Sequence, residues 1–92
     1  MKRPVPYDIV QSLAGHDGGK LFMVTGAEGS GRLLLCDGKL RKLENPKIKS
    51  PKHVRLVAEG GAPPATDKDI RQTLAQTALA AEPKEGKLLG ER

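Results

Sequence analysis

Apolar positions along this chain fall in short runs closed off by glycine or proline, and only the C-terminal third carries a helical period. MKRPVP, residues 1–6, reads as an extended lead-in, because two prolines deny it a helix. YDIVQSLA, residues 7–14, then reads as a strand and Gly15–Gly19 as a turn. KLFMVTGA, residues 20–27, is a second strand rich in β-formers, followed by the glycine-rich loop GAEGSG. RLLLC, Asp37-Gly38 and KLRKL make the strongest local signal, since Asp-Gly between two strands favours a type I′ hairpin. That turn would set Cys36 opposite Lys39, Leu35 opposite Leu40, Leu34 opposite Arg41 and Leu33 opposite Lys42. Alternation of side chains would then send Leu33, Leu35 and Leu40 to the core and Leu34, Cys36, Lys39 and Arg41 outward.

ENPKIKSPK, residues 44–52, reads as a stiff, solvated loop without regular structure, because two prolines alternate with lysines. HVRLVA, residues 53–58, closes the series as a short strand with Val54 and Leu56 on one face and Arg55 and Val57 on the other. Short strands with turn signals at this spacing predict a mainly β domain, a small barrel over residues 7–58. Residues 59–65 form a Gly/Pro linker. Thr66 and Asp69 resemble a capping box, and the spacing predicts a helix over 66–82 with Ile70, Leu74, Thr77, Ala78 and Ala81 on one face, stopped by Pro83. A helix of this length is marginal alone in water, so it either docks or frays. Residues 83–92 read as a loose, charged tail.

Charge changes the picture more than composition does. The chain carries a net charge of +5. Residues 1–65 hold 11 Lys/Arg against 6 Asp/Glu, and residues 66–92 hold 5 against 5, so the whole excess lies in the strand-rich part. Lys39, Arg41, Lys42, Lys47, Lys49, Lys52 and Arg55 lie within 17 residues that contain one acid, Glu44. Such clustering raises self-repulsion with no structural return and points to an anionic partner. A membrane surface fits poorly, because the basic segment has no helix and few large apolar groups to insert. Lys2 and Arg3 resemble the start of a signal peptide, but no apolar segment follows them, and a single cysteine cannot form an internal disulfide; a reducing cytoplasm is the expected compartment.

Catalytic and metal chemistry find little support. GAEGSG matches neither phosphate-binding glycine pattern, and no helix follows it. His16, His53 and Cys36 are not spaced as zinc ligands, so no metal or other cofactor is expected. Lys39, across the hairpin, would lower the Cys36 pKa slightly, but no base or oxyanion site accompanies it. Asp67 and Asp69 sit where a helix start favours acids. A non-enzyme is expected.

The order of strand, Gly-polar-polar-Gly-Gly turn and apolar strand resembles the KOW motif. It runs from about Asp8 to Gly31, with Val10, Gly15, Gly19 and Val24 at its key positions. Extended through LLLCDGKLRKLENPKIKSPKHVRLV, the chain is similar to the small bacterial KOW-domain RNA-binding proteins, which are related to large-subunit ribosomal proteins of archaea and eukaryotes. Ser12 departs from that pattern, which usually has an aliphatic residue there. The resemblance implies an SH3-like β-barrel that binds RNA; ribosomal RNA is the expected partner, and a monomer is expected.

The residues themselves agree less specifically. Gly15, Gly18, Gly19, Asp37 and Gly38 are turn formers, and exposed glycine N–H groups can meet phosphate oxygens. His16, Lys20, Lys39, Arg41, Lys42, Lys47, Lys49, Lys52, His53 and Arg55 are the candidate RNA contacts, read as shape and backbone recognition. Tyr7 and Phe22 are the only rings, Phe22 belongs to the core, and Arg41 or Arg55 is placed to stack on a base. The alternative is a protein-interaction module that meets ribosomal or transcription proteins through the barrel or the Ile70/Leu74/Ala78 stripe.

Overall fold

A computed structural model describes residues 4–13 and 15–81. Five short strands, β1 (Ile9–Ser12), β2 (Leu21–Ala27), β3 (Leu33–Cys36), β4 (Lys47–Lys49) and β5 (Val54–Ala58), are followed by one helix, α1 (Asp67–Ala81). They form one antiparallel sheet in the order β4-β3-β2-β1-β5. The protein is therefore mainly β with a C-terminal helix. Residues 1–3, Ala14, and the tail and proline stop expected beyond residue 82 lie outside the described residues.

Both faces of the sheet are covered, which is why FMV and LLLC read as continuous apolar runs instead of alternating with polar residues. Val10, Phe22, Val24, Leu33, Leu35 and Val54 make one core, with Leu56 against it. Their strand neighbours Ile9, Met23 and Cys36 point the other way and meet Ile70 and Leu74 of α1. Cys36, expected to point outward, is thus fully buried under the helix. The capping box is formed: Asp69 N–H donates to Thr66 Oγ1 at 3.3 Å, and Asp69 Oδ2 accepts from the N–H groups of Thr66 and Ala65. Of the expected helix stripe, Ile70 and Leu74 are buried, Thr77 is half-buried and Ala78 is exposed.

The sheet is rolled but not closed. A flat sheet would hold its end strands β4 and β5 about 19 Å apart. Only Ser50–His53 joins them, and Pro51–His53 is a compact 3-10 turn, so even a fully extended link would reach only ~17 Å. Lys49 Nζ donates to Ser12 Oγ at 2.8 Å, although β4 and β1 stand three places apart in the sheet. Leu13 N–H donates to the His53 carbonyl at 2.9 Å. No ladder joins β4 to β5 among the described residues, so the closed barrel expected from the strand spacing is not seen.

The Asp37-Gly38 hairpin is not formed either. β3 pairs with β4, placing Leu33 opposite Lys49, Leu34 opposite Ile48 and Leu35 opposite Lys47. The segment expected to be structureless therefore supplies a strand, and KLRKL does not. The reason is local. Asp37 Oδ1 accepts from the N–H groups of Lys39 and Arg41 at 2.8 and 2.9 Å, while the Arg41 carbonyl accepts from Asp37 and Gly38. These bonds wind residues 37–41 into a loop and take the groups a returning strand would have paired. Gly38 adopts φ 80°, whereas Asp37 does not share the positive φ that a type I′ turn requires. Leu40 consequently stands 78 % exposed instead of entering the core.

Asp8 ties the entry and exit of the sheet together. Its buried carboxylate accepts from Val5 N–H at 3.0 Å and from Gly60 N–H at 2.8 Å. Gly60 is packed so tightly there that a Cβ on it would lie 1.7 Å from the Tyr7 carbonyl oxygen.

Candidate nucleic-acid interface

The glycine turn between β1 and β2 is a single 3-10 turn, Gly15–Asp17, with Gly15 at φ 79° and Gly19 at φ 88°. Both glycines face open space, and His16, Gly18 and Lys20 are exposed. The N–H groups of Gly18 and Gly19, expected to meet phosphate, instead donate to the carbonyls of Gly15 and Ser12 at 3.1 and 2.8 Å. These two N–H groups are therefore taken up by the chain's own backbone.

Lys20, the first residue after the turn, lines a groove of about 370 Å³ together with Lys39 from the Asp37 loop and Arg71 from α1. The apolar part of the lining is Leu21, Leu74, Ala75 and Ala78. Asp37 is the acid in the lining, and its Oδ1 is committed to the two loop N–H groups. Among the described residues, three cations against one carboxylate make the groove electropositive.

The loop and the helix hold each other in place around this groove. Arg71 Nη1 donates to the Gly38 carbonyl at 2.6 Å, and Leu43 N–H donates to Asp67 Oδ1 at 2.8 Å. A Cβ on Gly38 would lie 2.5 Å from the Asp67 carbonyl oxygen and 2.8 Å from Arg71 Cγ. Glycine is required at Gly38 twice over, by its positive φ and by the approach of the helix.

The remaining candidates do not all join this group. Arg55 pairs with Gln11, which pairs with Leu21 on its other side, so these three form a row on the helix-bearing face. Arg55 Nη2 donates to Gln11 Oε1 at 2.7 Å, and Gln11 Nε2 donates to the Gly19 carbonyl at 3.1 Å. Lys47 and Lys49 sit opposite Leu35 and Leu33, on the rim of the other face, and Lys49 is engaged with Ser12. Gathering of Lys39, Arg41, Lys47, Lys49 and Arg55 on a single side is therefore not what the strand register produces. Arg41 is half-buried, while Lys42, Lys52 and His53 are exposed, the last two in the 3-10 turn between β4 and β5. Arg71, absent from the sequence-derived set, is the residue that completes the groove. Its place at the polar edge of the helix stripe, one position after Ile70, was the available signal.

Cys36 is shielded from chemistry. Its Sγ donates to the Lys42 carbonyl at 3.3 Å and lies 3.7 Å from Thr25 Oγ1. Burial pushes the thiol pKa up; the Thr25 contact opposes this, and the nearby Asp67 and Asp37 carboxylates add to the rise. The slight lowering expected from Lys39 is overturned, since desolvation dominates. No helix among the described residues is long and apolar enough to cross a membrane. No protein-family model matches the chain, and no curated protein matches it.

Proposed function

We propose that this chain is a non-catalytic RNA-binding module of the KOW type, an SH3-like barrel left open between β4 and β5. It contacts the backbone of structured RNA, ribosomal RNA being the leading candidate, on the face that carries α1. The observation that carries this reading is the convergence of Lys20, Lys39 and Arg71, from three separate elements, on one groove beside the exposed glycine turn. Arg55 extends the positive surface along the same face. Phosphate contacts of this kind supply affinity without reading sequence.

The test is binding of a structured RNA across a salt series. Neutralising three or four phosphates gives a log–log slope of roughly −2 to −3.5. The double variant Lys20→Glu/Lys39→Glu should lose most binding while melting like the parent, because both residues are exposed. Unaltered affinity in that variant rejects the groove as the RNA site. The protein-interaction reading through the helix stripe loses its motive, since Ile70 and Leu74 are already covered by the sheet.

A further inference from the structure

We infer that the groove between α1 and the Asp37 loop takes a single unpaired nucleotide of the RNA, with the base held against the Arg71 guanidinium; this rests on the RNA-binding reading given above. Shape comes first. The groove, about 370 Å³, is at the small end of pockets that hold a small molecule. A base with its ribose fits that space, whereas a duplex does not enter it.

Chemistry agrees with shape. A backbone-only site needs cations and no apolar lining, yet Leu21, Leu74, Ala75 and Ala78 line the groove together with Lys20, Lys39 and Arg71. A lining that mixes apolar groups with cations matches a flat base and sugar together with their phosphate. RNA offers such groups at loops and bulges, where unstacked bases are splayed out and stack on aromatic rings or guanidinium planes.

Among the described residues no Phe, Tyr or His ring lines the groove. Phe22 is buried in the opposite core, and Tyr7 packs, half-buried, against the cluster under α1 without lining the groove. Arg71 is the planar cation of the lining, and its Nη1 bond to the Gly38 carbonyl at 2.6 Å holds the guanidinium in a fixed place. A pre-set plane loses less freedom on binding than a loose one. The bases expected to stack on Arg41 or Arg55 are reassigned to Arg71: Arg55 is tied to Gln11, and neither lines the groove.

The experiment compares three RNA hairpins of one stem sequence: fully paired, with one bulged nucleotide, and with that bulged nucleotide made abasic. The parent protein should bind the bulged hairpin roughly tenfold or more tightly than the other two. Arg71→Lys keeps the charge and removes the planar fork, so it should bring the ratio of bulged to paired affinity down to near one. The abasic RNA gives the same information with the protein untouched, should that variant be destabilised. Equal binding of all three hairpins overturns the nucleotide pocket and leaves the backbone-binding reading standing. Absence of binding to any of them overturns both. Binding of a Glu-rich peptide that competes with the bulged hairpin, and weakens in Lys20→Glu/Lys39→Glu, reassigns the groove to an acidic protein and also overturns the inference.

Discussion

Replacement of Ile70 by alanine tests whether the helix is part of the folded unit. Ile70 is fully buried against Ile9, Met23, Cys36 and Leu74, and it is the main apolar anchor of α1 on the sheet. Truncation to alanine removes three carbons, about 2.4 kcal/mol of transfer free energy at ~0.8 kcal/mol each. The cavity left behind adds to this, so the expected loss is about 2.5–4.5 kcal/mol, depending on how far Met23 and Leu74 relax inward. Alanine is the better helix former by a few tenths of a kcal/mol, so any loss arises in packing and not in the helix itself. For a domain of this size the melting midpoint should drop by roughly 10–30 °C. The assay is thermal melting followed by circular dichroism at 222 nm, with hydrogen exchange of β1 and β2 amides as a second probe. Both should fall together, because helix and sheet share one core. Leu79→Ala, on the same helix but 70 % exposed, is the control and should shift stability by no more than ~0.5 kcal/mol. If Ile70→Ala melts with the parent, or if the helix signal is lost well before strand protection, the helix is not docked and the groove built on it does not exist.

Two further outcomes probe the points where backbone and thiol are confined. Gly60→Ala forces a Cβ within 1.7 Å of the Tyr7 carbonyl and strains the Asp8 clasp, so it should cost more than about 3 kcal/mol in urea unfolding, whereas Gly61→Ala, with open space around it, should be neutral or mildly stabilising. Because burial raises the folded-state pKa of Cys36 above its unfolded value, the folded state holds the thiol proton more tightly. Its contribution is complete below the unfolded thiol pKa of about 8.5 and is lost as pH rises through the higher folded value. The parent should therefore lose stability more steeply than Cys36→Ala as pH rises above about 8.5, measured as the difference between their melting curves; parallel slopes refute the assignment. A thiol reagent should modify Cys36 only as fast as the protein opens.

Local punctuation in the chain determined much of this protein. Gly15–Gly19 and GAEGSG mark real turns, and the prolines around residue 64 fall between β5 and α1, because glycine φ freedom and proline rigidity act within a few residues. The Thr66/Asp69 box marks the helix start for the same reason. Strand partners were another matter. Asp37-Gly38 has the composition of a tight hairpin, but which segment lies beside β3 depends on residues far along the chain: the Asp37 carboxylate winds its own loop, α1 packs against that loop, and Lys47–Lys49 takes the vacant edge. The outward assignment of Cys36 failed by the same route, since a strand covered on both faces carries no alternation to read. The basic cluster was legible as charge but not as geometry. Strand register divided Lys47 and Lys49 from Arg55, and only the docking of the helix brought Arg71 to Lys20 and Lys39. Neighbouring residues fix a turn through short-range sterics, whereas a binding groove is made where distant elements meet, and that meeting is decided by how the whole core packs.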